Sequence, residues 1–369
     1  MGTAQTKIPI KEYDRQKLVK NEKIGEGNYG KVYDGYYVSN PLEKVAIKEF
    51  KSRDDFETEF ETASTIKTFY DENGGCPPFF MCMIDYVNDP YAGRYFIIYK
   101  RMDMNVTDYM KTMGAKNRGK DFATPLNPIH KEYAVNVKDQ DIYNLANMLV
   151  TTLETLESLE IAHRDIKMSN ILIKQGEHGN IDFVLGDMGF VCKKKGRSIY
   201  AKKRTLRKSG LSLNTCETYS GTEEFVHPLF FWGLRDTYMK TTDPLWQDIY
   251  SSGATIYSFI TGLLPRSTEG SPMLNLERDL YIKNIHTNIP IKIPGKVINK
   301  LVNTMVFSRT YRDALKFKAV WRRYKNLVTR RIPEKAPVRR SRERRPKKKR
   351  SGRKKSARRS RRRSDGRRR

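Results

Sequence analysis

Asp165, Lys167 and Asn170 stand within five positions of one another in Ile161-Ala162-His163-Arg164-Asp165-Ile166-Lys167-Met168-Ser169-Asn170-Ile171-Leu172-Ile173. A carboxylate can orient and deprotonate an attacking hydroxyl, an ammonium can neutralise charge on a phosphate, and an amide oxygen can hold a divalent cation. Together they suit phosphoryl transfer, provided that the chain also holds a nucleotide. A helical pattern precedes the stretch and a β-rich one follows it, so these side chains fall on the connection between two elements.

The remaining chemistry lies on either side of that stretch. Gly25-Glu26-Gly27-Asn28-Tyr29-Gly30-Lys31-Val32 is a GxGxxGxV loop, Val45-Ala46-Ile47-Lys48 closes an apolar β-branched run on a lysine, and Asp187-Met188-Gly189 follows. A dinucleotide fold uses the same glycine spacing but leads into a helix, whereas Val32–Val38 continues as a strand. On these four elements in this order, residues 18–327 resemble the eukaryotic-type protein kinase family, Ser/Thr type. The family carries a lysine at the place of Lys167 in its Ser/Thr members.

The resemblance implies a two-lobed α+β fold with a small β-rich N-lobe, about 18–99, and a larger, mainly α-helical C-lobe, about 103–332. It implies ATP as phosphoryl donor, Mg²⁺ or Mn²⁺ as metal, and proteins bearing Ser or Thr as acceptors. Asp165 becomes the base, Lys167 and Lys48 the phosphate clamps, and Asn170 and Asp187 the metal ligands. Ile24, Gly25, Gly27, Gly30, Val32, Ala46, Lys48, Lys100 and Met102 would surround the nucleotide. Lys100, Arg101 and Met102 would form the hinge, with Tyr99 as a large gatekeeper behind adenine. Met188 replaces the family's Phe, and Leu229 stands where the family has the Glu of its A-P-E triplet. The partner of that Glu, here Arg312, must then find another acceptor or lie exposed. His163 is expected to be structural. Arg164 and the hydroxyl-rich loop after Asp187 suggest control by a phosphate on Thr215 or Thr218.

The elements that must position these groups are legible as periodicity. Phe56, Glu59, Phe60, Ala63 and Ile66 form one helical stripe, which puts Glu59 inward as the acidic partner of Lys48, with Glu61 as the alternative on the polar face. Phe79–Val87 and Tyr95–Tyr99 read as paired strands joined by a loop at Asn88–Arg94, and a turn is expected at Asn40-Pro41. Lys111–Gln140 is polar, lacks a period, and reads as an insertion. A helix is expected from Asp141, a hairpin around Gly176–Asn180, and a central helix from Gln247 to Thr261.

The chain has 369 residues and a formal charge of +29. Residues 334–369 hold 21 Lys and Arg against 3 Asp and Glu, a net of +18. With almost nothing apolar, residues 333–369 read as a disordered tail that seeks polyanions. Nucleic acid, nuclear import and an anionic surface all suit residues 339–369, and the lack of aromatics argues against base-specific readout, so that any nucleic-acid contact is expected to be phosphate-driven. An alternative reading makes the chain a polyanion-binding or packaging protein whose kinase domain regulates its own tail. Met1-Gly2-Thr3-Ala4-Gln5-Thr6 fits an acylation pattern, with myristoyl-assisted membrane contact through Gly2, in an N-terminal extension over 1–17. Cys76, Cys82, Cys192 and Cys216 show no CxxC or metal spacing, so neither disulfides nor zinc is expected. That points to an intracellular chain, nuclear or nucleic-acid-associated rather than membrane-bound. The divergent triplet, the short lysine-to-helix spacing and the polycation would suit a fast-diverging or viral kinase.

Overall fold

The computed structural model describes residues 8–27, 29–71, 75–76, 78–118, 137–176, 180–193, 216, 221–227, 243–261 and 296–331. Met1–Val328 form one compact unit, and the second, Thr329–Arg369, lies outside the described residues beyond 331.

Five antiparallel strands build the N-terminal sheet: β1 (Leu18–Glu26), β2 (Gly30–Tyr37), β3 (Asn40–Phe50), β4 (Met83–Asp89) and β5 (Arg94–Lys100), in the order β1-β2-β3-β5-β4. Lys48 stands opposite both Val32 on β2 and Ile97 on β5, so the central strand carries it. Helix α1 (Arg53–Asp71) covers one face of the sheet. Its buried stripe of Phe56, Phe60 and Ala63 packs with Phe50, Ile97 and Tyr99. Burial of that stripe, at roughly 2 kcal/mol for each large side chain, fixes how close α1 comes to β3. The other face buries Val45, Ile47, Phe96 and Ile98, as period-two alternation requires. Residues before β1 join the sheet too: Lys11 bridges Asn88, whose amide donates to the carbonyls of Ile8 and Pro9.

The C-terminal part is helical around α3 (Asp139–Ser158), α4 (Leu245–Thr261) and α5 (Lys296–Val306), followed by α6 (Tyr311–Ala314) and α7 (Phe317–Arg331). The short strand β6 (Met104–Asn105) leads into α2 (Val106–Arg118), and β7 (Ile161–Ala162), β8 (Ile171–Gln175), β9 (Ile181–Leu185) and β10 (Cys192–Lys193) lie between α3 and α4. β8 and β9 pair as the expected hairpin, and β10 pairs with β7 directly before His163.

Several boundaries differ from the sequence reading. Lys111–Arg118 belong to α2, where Val106, Tyr109, Met110 and Met113 stand at i, i+3, i+4 and i+7 before Gly114 and polar residues break the pattern. An Asn105 cap on the amide of Asp108 starts that helix. Residues 119–136, the rest of the expected insertion, lie outside the described residues. β4 begins at Met83 rather than Phe79, because Phe80 bridges Leu185 instead. β4 runs on to Asp89 and β5 starts at Arg94, so the loop between them is shorter than expected, and the β2–β3 turn falls at Val38-Ser39.

The cysteine expectation is overturned. Cys76 is bonded to Cys82, and Cys192 to Cys216. Spacing motifs detect clustered ligands, whereas the second pair is 24 positions apart and is made by tertiary folding beside Ala162. The inference of a reducing compartment from cysteine usage falls with it. Arg312 is exposed, the second of its two expected outcomes, while Leu229 lies outside the described residues.

Candidate active site

A cleft of about 630 Å³ lies between the sheet and the helical part, within the size range of ligand sites. Ile24, Gly25, Gly27, Gly30, Val32, Ala46, Lys48, Lys100 and Met102 all line it, together with Glu59, Asp165, Lys167, Asn170 and Asp187. Tyr29, Met81 and Leu172 join them, which the sequence reading had not placed there. Gly30 is required by packing, since a Cβ there would lie 2.1 Å from the carbonyl oxygen of Glu49. Gly27 has no atom within 4 Å of such a Cβ, so its bareness leaves room above the cleft. Tyr29, at the tip of the glycine loop, sets its ring edge-on to Phe190 at 5.4 Å.

On the sheet side, Lys48 Nζ lies 2.5 Å from Glu59 Oε2 and 3.1 Å from Asp187 Oδ1. Glu61, the alternative, is half-exposed on α1. Tyr99 donates its hydroxyl to the other oxygen of Glu59, Oε1, at 2.9 Å. Burial works against the charge of Lys48, yet Glu59 and Asp187 hold its ammonium above the ordinary lysine value. Burial pushes the Glu59 carboxyl up, against the pull of Lys48 and Tyr99. For Asp187 burial is outweighed, and Lys48 holds the carboxyl below its usual range.

On the other side the chain tightens around Asp165. Buried Asp248 of α4 accepts the amides of His163 and Arg164, each at 2.7 Å, and so fixes the turn before Asp165. His163 is fully buried and donates Nε2–H to the carbonyl of Gly186 at 3.1 Å, while its Nδ1 accepts from the amide of Asp165. Burial lowers its pKa and keeps the ring neutral. Asn170 donates from Nδ2 to the backbone carbonyl and to Oδ2 of Asp165, both at 2.9 Å. Lys167 Nζ lies 2.9 Å from Asp165 Oδ2 and donates to Thr222 Oγ1 at 2.6 Å. Thr222 donates in turn to Asp165 Oδ1 at 2.7 Å.

Thr222 was missed in the sequence, although it follows a glycine with a special role. Gly221 has φ +130°, and a Cβ on it would come within 2.5 Å of the carbonyl of Arg164. A hydroxyl directly after such a glycine is held against the catalytic turn. Arg164 itself has φ +69° and donates from Nε to the carbonyl of Phe190 at 2.7 Å. Thr215 and Thr218 lie outside the described residues.

The residues facing the cleft fit a hard cation. Asn170 uses its amide nitrogen on Asp165, so that contact leaves the amide oxygen unused, and Asp187 spends only Oδ1 on Lys48. Two oxygen donors without Cys or His suit Mg²⁺ or Mn²⁺, which take their other ligands from phosphate and water. Among the described residues there is no group of three or more His, Cys, Asp or Glu that could hold a metal ion.

Comparison with known proteins agrees with this geometry. Residues 18–312 match the family described as Protein kinase domain. The chain is 23% identical over 242 residues to a probable cyclin-dependent kinase 8 of Dictyostelium discoideum, covering 63% of this chain and 56% of that protein. It is 26% identical over 153 residues to the serine/threonine-protein kinase zyg-8 of Caenorhabditis elegans, covering 41% and 16%. With the serine/threonine-protein kinase DCLK2 of Mus musculus it shares 29% over 140 residues, covering 38% and 14%. The matches thus span from about half to a small fraction of these relatives.

Proposed function

The chain belongs to the protein kinase family, and on that footing we propose that it is a serine/threonine kinase moving the ATP γ-phosphoryl group to protein hydroxyls. The observation that carries this reading is the convergence of Lys167, Asn170 and Thr222 on the carboxylate of Asp165, in the same cleft that the Lys48–Asp187 contact lines. Asp165 accepts the proton of the acceptor hydroxyl, and Asn170 and Thr222 hold its oxygens in place. Lys167 sits where it can meet the transferred phosphate while keeping its contact with Asp165. Lys48, held by Glu59, faces the nucleotide phosphates. A divalent cation held by Asn170 and Asp187 would neutralise charge on the phosphate oxygens. Ile24, Val32, Ala46, Met81, Met102 and Leu172 supply the apolar walls for adenine, and the backbone of residues 100–102 its hinge.

Residues 18–332 are proposed as the catalytic domain, and residues 333–369 as a polybasic arm for nucleic acid or another polyanion. Such an arm would favour nuclear or nucleic-acid-rich surroundings. Among the described residues no helix is long and apolar enough to cross a membrane. Control by a phosphate that draws Arg164 from the Phe190 carbonyl, and acylation at Gly2, belong to the same proposal.

Asp165→Asn tests the chemistry. Turnover on a Ser/Thr peptide should fall by about 10³-fold or more, because the positioned base is lost. Mg-ATP affinity, measured by calorimetry, should stay within about twofold because the nucleotide walls are intact. Removing residues 334–369 should leave peptide phosphorylation in place while affinity for duplex DNA falls. The lost contacts should each flatten the log K against log[salt] slope by about 0.9. If instead phosphorylation is confined to the tail and exogenous peptides are untouched, the packaging reading gains.

A further inference from the structure

Glu59 is a carboxylate in an unusual position: only 2% exposed, on the inner face of α1 among Phe56, Phe60 and Ala63. A charge so placed needs partners for both of its oxygens, since an unsatisfied buried acceptor costs the full desolvation penalty. Lys48 reaches only Oε2 and is shared with Asp187, so one cation faces two carboxylates. The second oxygen, Oε1, is met by the hydroxyl of Tyr99 at 2.9 Å. Register explains the reach. Tyr99 stands opposite Ala46 on β3, two positions from Lys48 on the same face of the sheet, and the small alanine leaves room for the ring beneath α1. A phenylalanine would fill the same space and offer nothing to Oε1.

We propose that Tyr99 is a positioning residue for the Lys48–Glu59 pair, its hydroxyl holding the buried carboxylate, and with it α1, where Lys48 faces the cleft. This goes beyond the gatekeeper role that bulk alone confers, and it rests on the kinase reading. Lys48 already divides its charge between Glu59 and Asp187. When phosphates claim part of that charge, Tyr99 is the partner of Glu59 that does not leave. Burial keeps the phenol protonated and able to donate, since it pushes Tyr99 well above the ordinary tyrosine value.

The test is a double-mutant cycle on the full-length protein, using Tyr99→Phe and Glu59→Ala and reading kcat and KM for ATP. Tyr99→Phe keeps the ring and should lower kcat/KM for ATP about tenfold, the scale of a hydrogen bond to a buried charge. KM for the peptide should not move. In the Glu59→Ala background the same change should cost less than about twofold, because its target is gone. An equal loss in both backgrounds would mean that Tyr99 acts through packing, and no loss in either that the hydroxyl is idle; both overturn the proposal. If the wild type shows no Mg-ATP-dependent transfer, the kinase reading fails on its own. The same cycle is then read on the denaturant midpoint, where coupling supports the contact and strict additivity overturns it.

Discussion

The two walls of the cleft are built in opposite ways. The reacting groups proposed for the helical wall are contiguous: His163, Arg164, Asp165, Lys167 and Asn170 come from one short stretch, whose shape is anchored by two backbone amides bonded to the distant Asp248. The sheet wall is assembled from side chains 11 and 40 positions apart, which meet only if α1 packs correctly on the sheet. A turn anchored through its backbone holds the Asp165 carboxylate in a fixed geometry. A packed helix can be displaced, so the lysine it steers can be lost without unfolding the protein. The first wall is therefore suited to chemistry and the second to control.

If the helical wall is rigid because of Asp248, removing that anchor should do the greatest damage to stability. Asp248→Ala leaves two buried amides unsatisfied and should cost about 4 kcal/mol in denaturant unfolding. A loss below about 1 kcal/mol would show that the turn holds itself. Lys167→Ala removes the ammonium between Asp165 and Thr222. We expect kcat to drop about 10²-fold with KM for ATP little changed, as for an interaction made chiefly in the transition state.

The sheet wall should answer differently. Glu59→Ala should lower kcat/KM for ATP about 30-fold, a loss of about 2 kcal/mol in transition-state stabilisation. Glu61→Ala, on the half-exposed face of the same helix, should stay within about twofold. Similar losses for both would mean that the inward face has been assigned to the wrong glutamate.

The smallest effect concerns acid stability beneath the helical wall. His227 is fully buried between the rings of Trp246 and Tyr250, 4.6 and 5.0 Å away, and burial pushes its pKa down to about 3. Its folded value lies below the unfolded one, so the unfolded chain takes the proton first. Its contribution is whole above about pH 6.5 and is lost as pH falls towards 3, by about 1.4 kcal/mol per pH unit. His163, lowered by burial as well, adds in the same direction. Unfolding free energies at pH 6 and pH 5 should show a shallower slope for His227→Phe than for wild type. Identical slopes would remove His227 from the account.

The difference between the walls also explains what could be read in advance. The helical wall is written contiguously, so Asp165, Lys167 and Asn170 were visible as a motif. The α1 stripe was visible because 3.6-residue periodicity separates Glu59 from Glu61. Thr222 lies 57 positions from the carboxylate it meets, and the Tyr99 hydroxyl 40 from its own; neither distance leaves a local pattern. The Cys192–Cys216 bond escaped for the same reason. Helix α2 escaped because its short apolar stripe, Val106 to Met113, runs into Gly114 and a polar stretch that reads as a loop.

The most direct test of the central claim is to map where phosphate goes. The purified wild-type protein is incubated with Mg-ATP and a mixed pool of Ser, Thr and Tyr peptides, and the acceptors are identified by mass spectrometry. The account predicts phosphate on serine and threonine, none on tyrosine, and no product when the divalent cation is chelated. Transfer to tyrosine would contradict the role given to Lys167 and Thr222, and ATP turnover without any phosphopeptide would contradict the kinase reading itself.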